Sequence, residues 1–388
     1  MKLLYVMGSF YPTQIGGPNN TVYWQAKALT KKGVDVTVVT TMAGVTDKIQ
    51  KEYNIQPNKP IKIDNIKVIF FSQNVKHYFS LSLFKWIVCN AGNYDLASLN
   101  SYFLPMSWVS AFVFILKKQK FFIAPRGELE DNALIYHHKI KKFMIFSFLK
   151  RLYSKSTFVL LTSQQELQFS KKFFRPDMEF KLLPNFIEID KEPKKIKAKN
   201  KKNILLLSRI HPKKKVENLI KAYINLDENI KKKHKLIIAG GYSKQYYDFL
   251  ISIVRQHNEE SSISFVGHKD GKEKEELYKN SKIFVLPSES ENFGNVVLEA
   301  LMHKTPVITS IYTPWQEIEK HKCGFWIDNS PETIEKYIRK ILSMKDTEYE
   351  KMSENAYKFV DRYYNIENNT QKIMDAFGIE SKSNKNGN

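Results

Sequence analysis

Short apolar runs alternate with helix-like segments along most of this chain, and the alternation restricts the folds open to it. The chain opens with a buried strand over KLLYVM (2–7), a glycine-bearing loop, a helix over 21–33 and a second strand over 34–41. Strands separated by helices of this length are typical of parallel sheets that are covered by helices on both faces. The sequence therefore predicts an α/β protein.

The same alternation is less regular in the middle of the first half and clearest after Asn203. In the first half we predict strands near 66–71, 94–99 and 121–124 and a helix near 105–117. In the second half we predict strands at 203–208, 234–240, 263–267, 282–288, 306–310 and 324–327, and helices at 216–226, 246–258, 272–281, 294–304, 330–344, 347–362 and 365–377. Two separate Rossmann-like domains are the simplest architecture for this pattern.

The chain has 388 residues, a length that fits two domains. We predict a first domain over 1–188 and a second over 203–362, joined by a basic linker over 189–202 that has almost no apolar content. A helix over 363–379 either caps the second domain or crosses back to the first. The polar residues 380–388 are expected to form a disordered tail.

Composition narrows the partners and the compartment. The two cysteines, Cys89 and Cys323, form no CxxC pair, which argues against a disulfide framework or a zinc site and fits a reducing compartment. The N-terminus lacks a signal-peptide pattern, and no window has the ~18 uncharged apolar residues of a membrane span, so we expect a cytoplasmic protein. The formal net charge of +21 predicts attraction to a polyanion or an anionic lipid surface.

Charged residues follow two predicted strands of the second half. SRIHPKKKV brings Arg209 and then Lys214 or Lys215 after one strand, and SESENFGNVVLEA brings Glu291 and Glu299 after another. Ligands of such sheets bind outside the carboxyl ends of the strands. Cations beside a helix start can hold a diphosphate, and carboxylates accept hydrogen bonds from vicinal hydroxyls. This chemistry fits a nucleotide-sugar, although each signal alone also occurs on ordinary solvated loops.

The chain resembles the family 4 retaining glycosyltransferases, which have the GT-B fold of two Rossmann-like domains whose parallel sheets face a central cleft. The resemblance covers nearly the whole chain and is strongest from about 203 to 310. SRIHPKKKVENLIKAY is similar to the family's Arg-x4-Lys stretch, and ESENFGNVVLEALMHKTPVITS to its E-x7-E stretch.

The resemblance implies roles for individual residues. As catalytic residues it implies Arg209 and Lys214, at the leaving diphosphate, and Glu291, beside the donor sugar. As donor-binding residues it implies Gly16 and Gly17 in YPTQIGG, the backbone of Phe293, Gly294, Asn295 and Val296, and Glu299 at the ribose.

The first half carries a further similarity. APRGELEDNAL (124–134) resembles a motif of enzymes that build bacterial surface polysaccharide or lipopolysaccharide, and LPNFIEID (183–190) resembles the stretch before the second domain. Two positions depart from the family pattern: Lys215 stands where a glycine is frequent, and Arg126 where many members have a histidine. Three roles for Arg126 stay open, namely contact with the donor sugar, with the acceptor, or with a neighbouring carboxylate.

The resemblance implies an enzyme that moves a sugar from a nucleotide-sugar, UDP-linked by family frequency, onto a growing lipid-linked glycan such as O-antigen or capsule. Transfer would occur on the front face of the donor without metal or another cofactor, since the chain has no Asp-x-Asp pair. One alternative is a UDP-sugar 2-epimerase of the same fold, which the PRGEL stretch disfavours. The other is a non-enzymatic basic protein that binds nucleic acid or membrane. No nucleic-acid partner is expected, because no RNA- or DNA-binding signature is present.

A basic and apolar segment predicts contact with a membrane. Residues 112–156 contain ten Lys or Arg and three acidic residues, mixed with Phe, Ile and Leu. Basic helices with exposed aromatic side chains lie in bilayer interfaces, although part of this apolar content must be core. We expect the first domain to dock on the cytoplasmic leaflet through residues near 139–155 and 76–87.

Overall fold

The computed structural model describes residues 1–13, 17–73, 79–130, 147–189 and 200–380. The chain divides into two compact units: one formed by Met1–Glu188 together with Ile366–Asn388, the other by Ile189–Asn365. Both units are α/β. The chain therefore leaves the first unit once and returns to it at Ile366.

The first unit is built on an eight-stranded sheet in the order β3-β4-β2-β1-β5-β6-β7-β8. Only β3 runs antiparallel to its neighbour, β4; the other pairs are parallel. The strands are β1 (Lys2–Val6), β2 (Asp35–Thr41), β3 (Pro60–Ile63), β4 (Ile66–Phe71), β5 (Leu96–Asn100), β6 (Phe121–Ala124), β7 (Val159–Leu161) and β8 (Phe180–Leu182). Central strands such as β6, with the sequence FFIA, are buried throughout, because helices cover both faces of the sheet.

Those covering helices lie on both sides of the sheet. They are α1 (Gly17–Lys31), α2 (Asp47–Glu52), α3 (Leu81–Asn90), α4 (Pro105–Leu116), α5 (Gln164–Ser170) and, from the end of the chain, α14 (Ile366–Phe377); residues 147–153 are also helical. Helix α14 packs against α1, and the ring of Phe377 lies 4.9 Å from that of Phe122 on β6. The last helix thus supplies part of the first unit's core.

The second unit has a six-stranded sheet, parallel throughout, in the order β11-β10-β9-β12-β13-β14. Its strands are β9 (Asn203–Leu207), β10 (Leu236–Ala239), β11 (Ile263–Gly267), β12 (Ser281–Leu286), β13 (Val307–Ser310) and β14 (Gly324–Ile327). Its helices are α6 (Val216–Ile224), α7 (Glu228–Lys233), α8 (Lys244–Gln256), α9 (Gly271–Asn280), α10 (Asn295–Met302), α11 (Glu317–Lys320), α12 (Pro331–Leu342) and α13 (Asp346–Tyr364).

Each sheet has one point where the strand order reverses. In the first unit it lies between β1 and β5, and in the second between β9 and β12. A crevice opens at such a point outside the carboxyl ends of the strands, and ligands of doubly wound sheets bind there. The loops that follow β9 and β12 carry the charged motifs, so the topology brings those motifs to one edge of the second unit.

The strands and helices predicted for the second half are present, with ends within two residues of the prediction. The start predicted for α1 is wrong: the helix begins at Gly17 rather than at 21. Pro18 suits a first helical turn because it lacks the N–H that would be unpaired there. The buried side chain of Asn19 also holds the helix start, through bonds to Ser9 (3.1 Å) and Thr13 (3.0 Å).

Candidate functional site

The loop after β9, which carries Arg209, is fixed by the loop after β10. Ile210 N donates to Gly241 O at 2.8 Å, and Gly240 N donates to Gly267 O at 2.8 Å. Gly240 has φ +146°, and a Cβ built there would lie 1.7 Å from the carbonyl oxygen of Ser208. Only glycine fits this approach. The position of Arg209 therefore depends on a glycine that the sequence reasoning did not single out.

Arg209, Lys213 and Lys214 bring three positive charges to this loop. A single 3₁₀ turn, Pro212–Lys214, follows His211, whose Nδ1 accepts a hydrogen bond from Lys213 N at 3.2 Å. Partial desolvation lowers the pKa of His211, and the positive charges of Arg209, Lys213 and Lys214 lower it further. A group whose pKa responds to all three lies in a positive field, which is the field that a diphosphate needs.

Lys215, the departure from the family pattern, is the N-cap residue before α6 and has the left-handed conformation, with φ 49° and ψ 44°. Glycine adopts this conformation without strain, which gives a physical reason for glycine at this position in the resembling family. Here the side chain makes a compensating contact, because its Nζ lies 2.8 Å from a carboxylate oxygen of Glu289 on the loop after β12.

Lys214 and Glu291 form an ion pair across the two loops. Lys214 Nζ donates to Glu291 Oε2, and Ser288 Oγ lies 3.5 Å from the same oxygen. The side chains are 13% and 16% exposed, so the pair is shielded from water but still accessible. The structure thus joins two predicted catalytic residues that stand 77 positions apart.

The start of α10 is held by buried aromatic rings. Gly294, with φ 79°, precedes the helix, and a Cβ there would lie 3.1 Å from Glu291 Cγ and 3.4 Å from Trp315 Nε1. Trp315 Nε1 donates to the carbonyl of Phe293, whose buried ring packs edge-on against the Trp315 and Tyr364 rings at 5.0 and 6.0 Å. The backbone over 293–296 is therefore rigid, and the helix start adds a partial positive charge to it.

Glu299, in the second turn of α10, is 8% exposed and already paired. Lys274 Nζ lies 2.8 Å from Glu299 Oε1 and 2.7 Å from Glu299 Oε2. Tyr278 Oη donates a hydrogen bond of 2.8 Å to Glu299 Oε2. Burial and the carboxylate together raise the pKa of Tyr278 well above its usual value, so the phenol stays a donor. The sequence reasoning missed both partners; the only signal was their four-residue spacing on one predicted helix.

In the first unit, Arg126 lies at the carboxyl end of β6, after Pro125. It adopts φ 56°, a strained value for a non-glycine residue. Its Nε and Nη2 donate to Asn100 Oδ1, at the end of β5, at 3.2 and 2.9 Å. Desolvation by burial lowers the pKa of Arg126, against the opposing effect of the buried carboxylate of Glu166. One of the three roles left open for Arg126 was contact with a neighbouring carboxylate. Arg126 forms no ion pair at salt-bridge distance with any carboxylate among the described residues.

The neighbouring residue Glu128 explains part of the PRGEL motif. Its carboxylate accepts from Ser101 Oγ at 2.7 Å and from the backbone N–H groups of Tyr102 and Phe103 at 2.6 and 3.0 Å. These bonds fix the loop that leads from β5 into α4. The motif therefore shapes the loops at the carboxyl ends of β5 and β6, next to the point where the strand order reverses, and Arg126 lies among these loops.

The structure says less about Gly16 and Gly17, the remaining predicted donor-binding positions. Gly16 lies outside the described residues, and Gly17 is the first residue of α1. Over the described ranges the structure contains no group of three His, Cys, Asp or Glu side chains suited to a metal ion, and no helix there is long and apolar enough to cross a membrane. The absence of a metal requirement stays a prediction.

Residues 188–359 match the family model described as glycosyl transferases group 1. This part of the chain carries a group 1 glycosyl transferase domain. It contains the β9 loop, the β12 loop and α10, and so all the candidate residues of the second unit. The match bears out the enzyme class predicted for this domain.

The curated relatives are similar over part of their length. An uncharacterized glycosyltransferase of Methanocaldococcus jannaschii, MJ1607, is 32% identical over 183 residues, which is 46% of this chain and 45% of the relative. The O-antigen chain mannosyltransferase B of Escherichia coli is 30% identical over 114 residues, 29% of this chain and 30% of the relative. The chain thus spans less than half the length of either relative.

Solved structures show the fold. A crystal structure of Anabaena Alr3699/HepE in complex with UDP and glucose superposes with a TM-score of 0.77 at 16% identity, covering 97% of this chain and 99% of that one. The prediction of the GT-B fold is confirmed.

Proposed function

We propose that the protein is a retaining glycosyltransferase that moves a sugar from a nucleoside-diphosphate sugar to an acceptor hydroxyl. The observation that carries the proposal is the Lys214–Glu291 pair at the strand-order reversal of the second unit. It sets a cation and a carboxylate side by side where ligands of this sheet type bind. A diphosphate needs the first of these groups and a sugar hydroxyl the second.

Each group has a distinct task in this proposal. Arg209 and Lys214 bind the diphosphate, and Glu291 accepts hydrogen bonds from donor-sugar hydroxyls. The rigid backbone over 293–296 faces the phosphate with the positive end of α10. Glu299 accepts a hydrogen bond from a ribose hydroxyl, a role for which a carboxylate is suited.

The reaction needs charge stabilisation more than a nucleophile from the protein. The bond between the anomeric carbon and the phosphate oxygen breaks, and the acceptor oxygen bonds to the same face of that carbon. The acceptor proton passes to the leaving phosphate oxygen. Arg209 and Lys214 stabilise the charge that develops on the diphosphate, and preorganised cations cost no reorganisation at that moment. The two cations take the part that a metal ion plays in other transferases.

Uridine diphosphate is the proposed leaving group. The support is that UDP is named in the Anabaena structure, whose fold this chain shares. Isothermal titration calorimetry with UDP, GDP and ADP tests the base directly. Saturable binding of UDP with weaker binding of the other two is expected; a stronger signal for GDP or ADP would overturn the choice of base.

Substitution of the cations tests the catalytic assignment. Loss of either Arg209 or Lys214 should lower turnover by about 10²–10³-fold, the scale for one preorganised donor. Lys221→Met, an exposed lysine on α6, is the matched control and should cost far less. Activity should persist in EDTA. An enzyme that stops in chelator and recovers with Mn²⁺ would refute the metal-free mechanism, and turnover of donor alone into an epimeric sugar nucleotide would favour the epimerase instead.

We further propose that the acceptor is a lipid-linked surface glycan presented at the inner leaflet of the membrane. The named function of the Escherichia coli relative, an O-antigen chain mannosyltransferase, supports this acceptor class. Arg126, strained and half-buried at the edge of the first sheet, is proposed to contact the acceptor or the donor sugar.

An apolar stripe on the first unit supports membrane contact. Trp108, Phe112 and Leu116 follow one another at four-residue intervals on α4 and so lie on one face. Phe112 is 55% exposed and Leu116 67%, and the Trp108 ring contacts that of Phe148, itself 54% exposed. Large apolar side chains exposed together mark an interaction surface.

Exposed cations border this stripe. Lys117, Lys118 and Lys120 follow α4 directly, and Lys150 and Arg151 follow Phe148. An apolar patch edged by cations fits an anionic bilayer, where each cation contributes ~1 kcal/mol. The predicted contact segments 139–155 and 76–87 lie partly outside the described residues. Phe148 belongs to the first segment, whereas Trp108, Phe112 and Leu116 lie on α4, outside both segments.

Liposome co-sedimentation tests the membrane proposal. Binding should require anionic lipid and fall with salt, and Phe112→Ser with Leu116→Ser should weaken it while nucleotide binding persists. Changing Lys117, Lys118 and Lys120 to Gln should also weaken it, whereas changing Lys232, Lys233 and Lys320 of the second unit is the charge-matched control. Absence of sedimentation with anionic vesicles at low salt would end this proposal.

A further inference from the structure

Two side chains of α9 enclose the carboxylate that the proposed function assigns to the ribose. Lys274 and Tyr278 stand four residues apart on one face of the helix, and both reach Glu299 on α10. Lys274 Nζ contacts both carboxylate oxygens, at 2.8 and 2.7 Å, and Tyr278 Oη donates to Oε2 at 2.8 Å. The side chain of Lys274 is 22% exposed and that of Glu299 is 10% exposed.

Electrostatics explains why a cation is needed there. A carboxylate taken out of water without a counter-charge is strongly destabilised. Lys274 supplies that charge, and the Tyr278 hydroxyl fixes one oxygen. An ionised carboxylate offers about four lone-pair positions, and these contacts occupy three. Oε1, which takes only the Lys274 contact, keeps an acceptor position for a ligand hydroxyl.

The ring of Tyr278 is fixed independently of its hydroxyl. It stacks on His303 with centroids 5.5 Å apart and planes 15° apart, and His303 Nδ1 lies 2.7 Å from Glu299 O. Thr305 Oγ1 donates to Tyr278 O at 2.8 Å. Removing the hydroxyl alone should therefore leave the ring and both helices in place, so that Tyr278→Phe changes one contact of Glu299 and little else.

We propose that Lys274 and Tyr278 are positioning residues: they hold Glu299 so that the open acceptor position of Oε1 takes a hydrogen bond from the ribose 2′-hydroxyl, and they thereby set a preference for ribonucleoside over 2′-deoxyribonucleoside diphosphates. This inference rests on the proposed donor-binding function of the same site. It assigns a selectivity to two residues that act through Glu299.

The test compares the affinities for UDP and 2′-deoxy-UDP by calorimetry, or for the GDP or ADP pair if the wild type binds that base. The wild type should favour the ribonucleotide by about ten-fold, the scale of one hydrogen bond to a charged group. Lys274→Met and Tyr278→Phe should weaken ribonucleotide binding by up to about ten-fold and leave 2′-deoxynucleotide binding nearly unchanged. The ratio of the affinity for the ribonucleotide to the affinity for the 2′-deoxynucleotide therefore falls toward one.

A purely structural role would weaken both nucleotides equally, and a preserved preference in both variants overturns the inference. Lys279→Met on the same helix, whose ion pairs go to Glu275 and Glu276, is the matched control and should keep the preference. Lys274→Arg should restore it in part. If Lys274→Met does not fold, Tyr278→Phe carries the test alone. A wild type without ribose preference overturns the inference and the ribose role of Glu299 but leaves the proposed sugar transfer, whereas one that binds no nucleoside diphosphate overturns the proposed function as well.

Discussion

Replacing Gly240 by alanine should damage the second unit more than its small size suggests. The new Cβ would sit 1.7 Å from the Ser208 carbonyl oxygen, about half of an ordinary contact distance, on a backbone with φ +146°. The disfavoured backbone costs about 1–3 kcal/mol, and forced repacking of a close contact about as much again. A total of roughly 2–6 kcal/mol is a large part of the 5–15 kcal/mol that stabilises a typical domain.

Gly241→Ala is the matched control, because a Cβ there meets no atom within 4 Å and no positive φ is involved. Calorimetric scans should show the melting temperature of the second unit falling by roughly 4–24 °C for Gly240→Ala and little for Gly241→Ala. Nucleotide affinity should fall as well, since the displaced Ser208 precedes Arg209. Equal stability and affinity of the two variants would refute this account of the loop.

Three further outcomes are expected. Burial lowers the pKa of Lys201 to about 7, below its unfolded value. The unfolded chain then binds more protons between about pH 7 and 10, so stability should rise with pH there by up to ~1.4 kcal/mol per unit; urea unfolding of Lys201→Met should lack that rise. Burial raises the pKa of Cys323 to about 12, so a thiol reagent should modify exposed Cys89 quickly and Cys323 only on unfolding; equal rates would contradict this. Trp315→Phe leaves the buried Phe293 carbonyl without its donor and should cost about 1–3 kcal/mol in thermal unfolding, whereas Trp326→Phe should cost less.

The sequence predicted correctly those strands that are continuous apolar runs and those helices whose apolar residues recur on one face. The second half was readable because each of its strands is a continuous apolar run and is followed by a polar turn and an amphipathic helix. Helix α3, LSLFKWIVCN, was missed because apolar residues occur on most of its sides, so its buried positions, Leu83 and Ile87, do not stand out. Strands β7 and β8 are three residues each, too short for any periodicity.

The sequence predicted the loops of the candidate site but not the contacts between them. Placement of motifs after strands predicted which residues share an edge, but not that Lys214 would pair with Glu291. That contact depends on β9 and β12 being neighbours, and strand order is not encoded in local pattern. The partners of Glu299 and the approach at Gly240 depend in the same way on packing between elements distant in sequence.

The return of the chain at Ile366 has a consequence for biosynthesis. Helix α14 leaves the ribosome after the whole of the second unit, and its Phe377 is needed to cover Phe122 in the first unit. The second unit is one continuous segment and can fold as soon as it has emerged. A nascent chain that stalls before Ile366 would therefore hold a finished second unit beside an open first one. Chaperones and proteases in the cell should recognise that uncovered half, and should ignore the other.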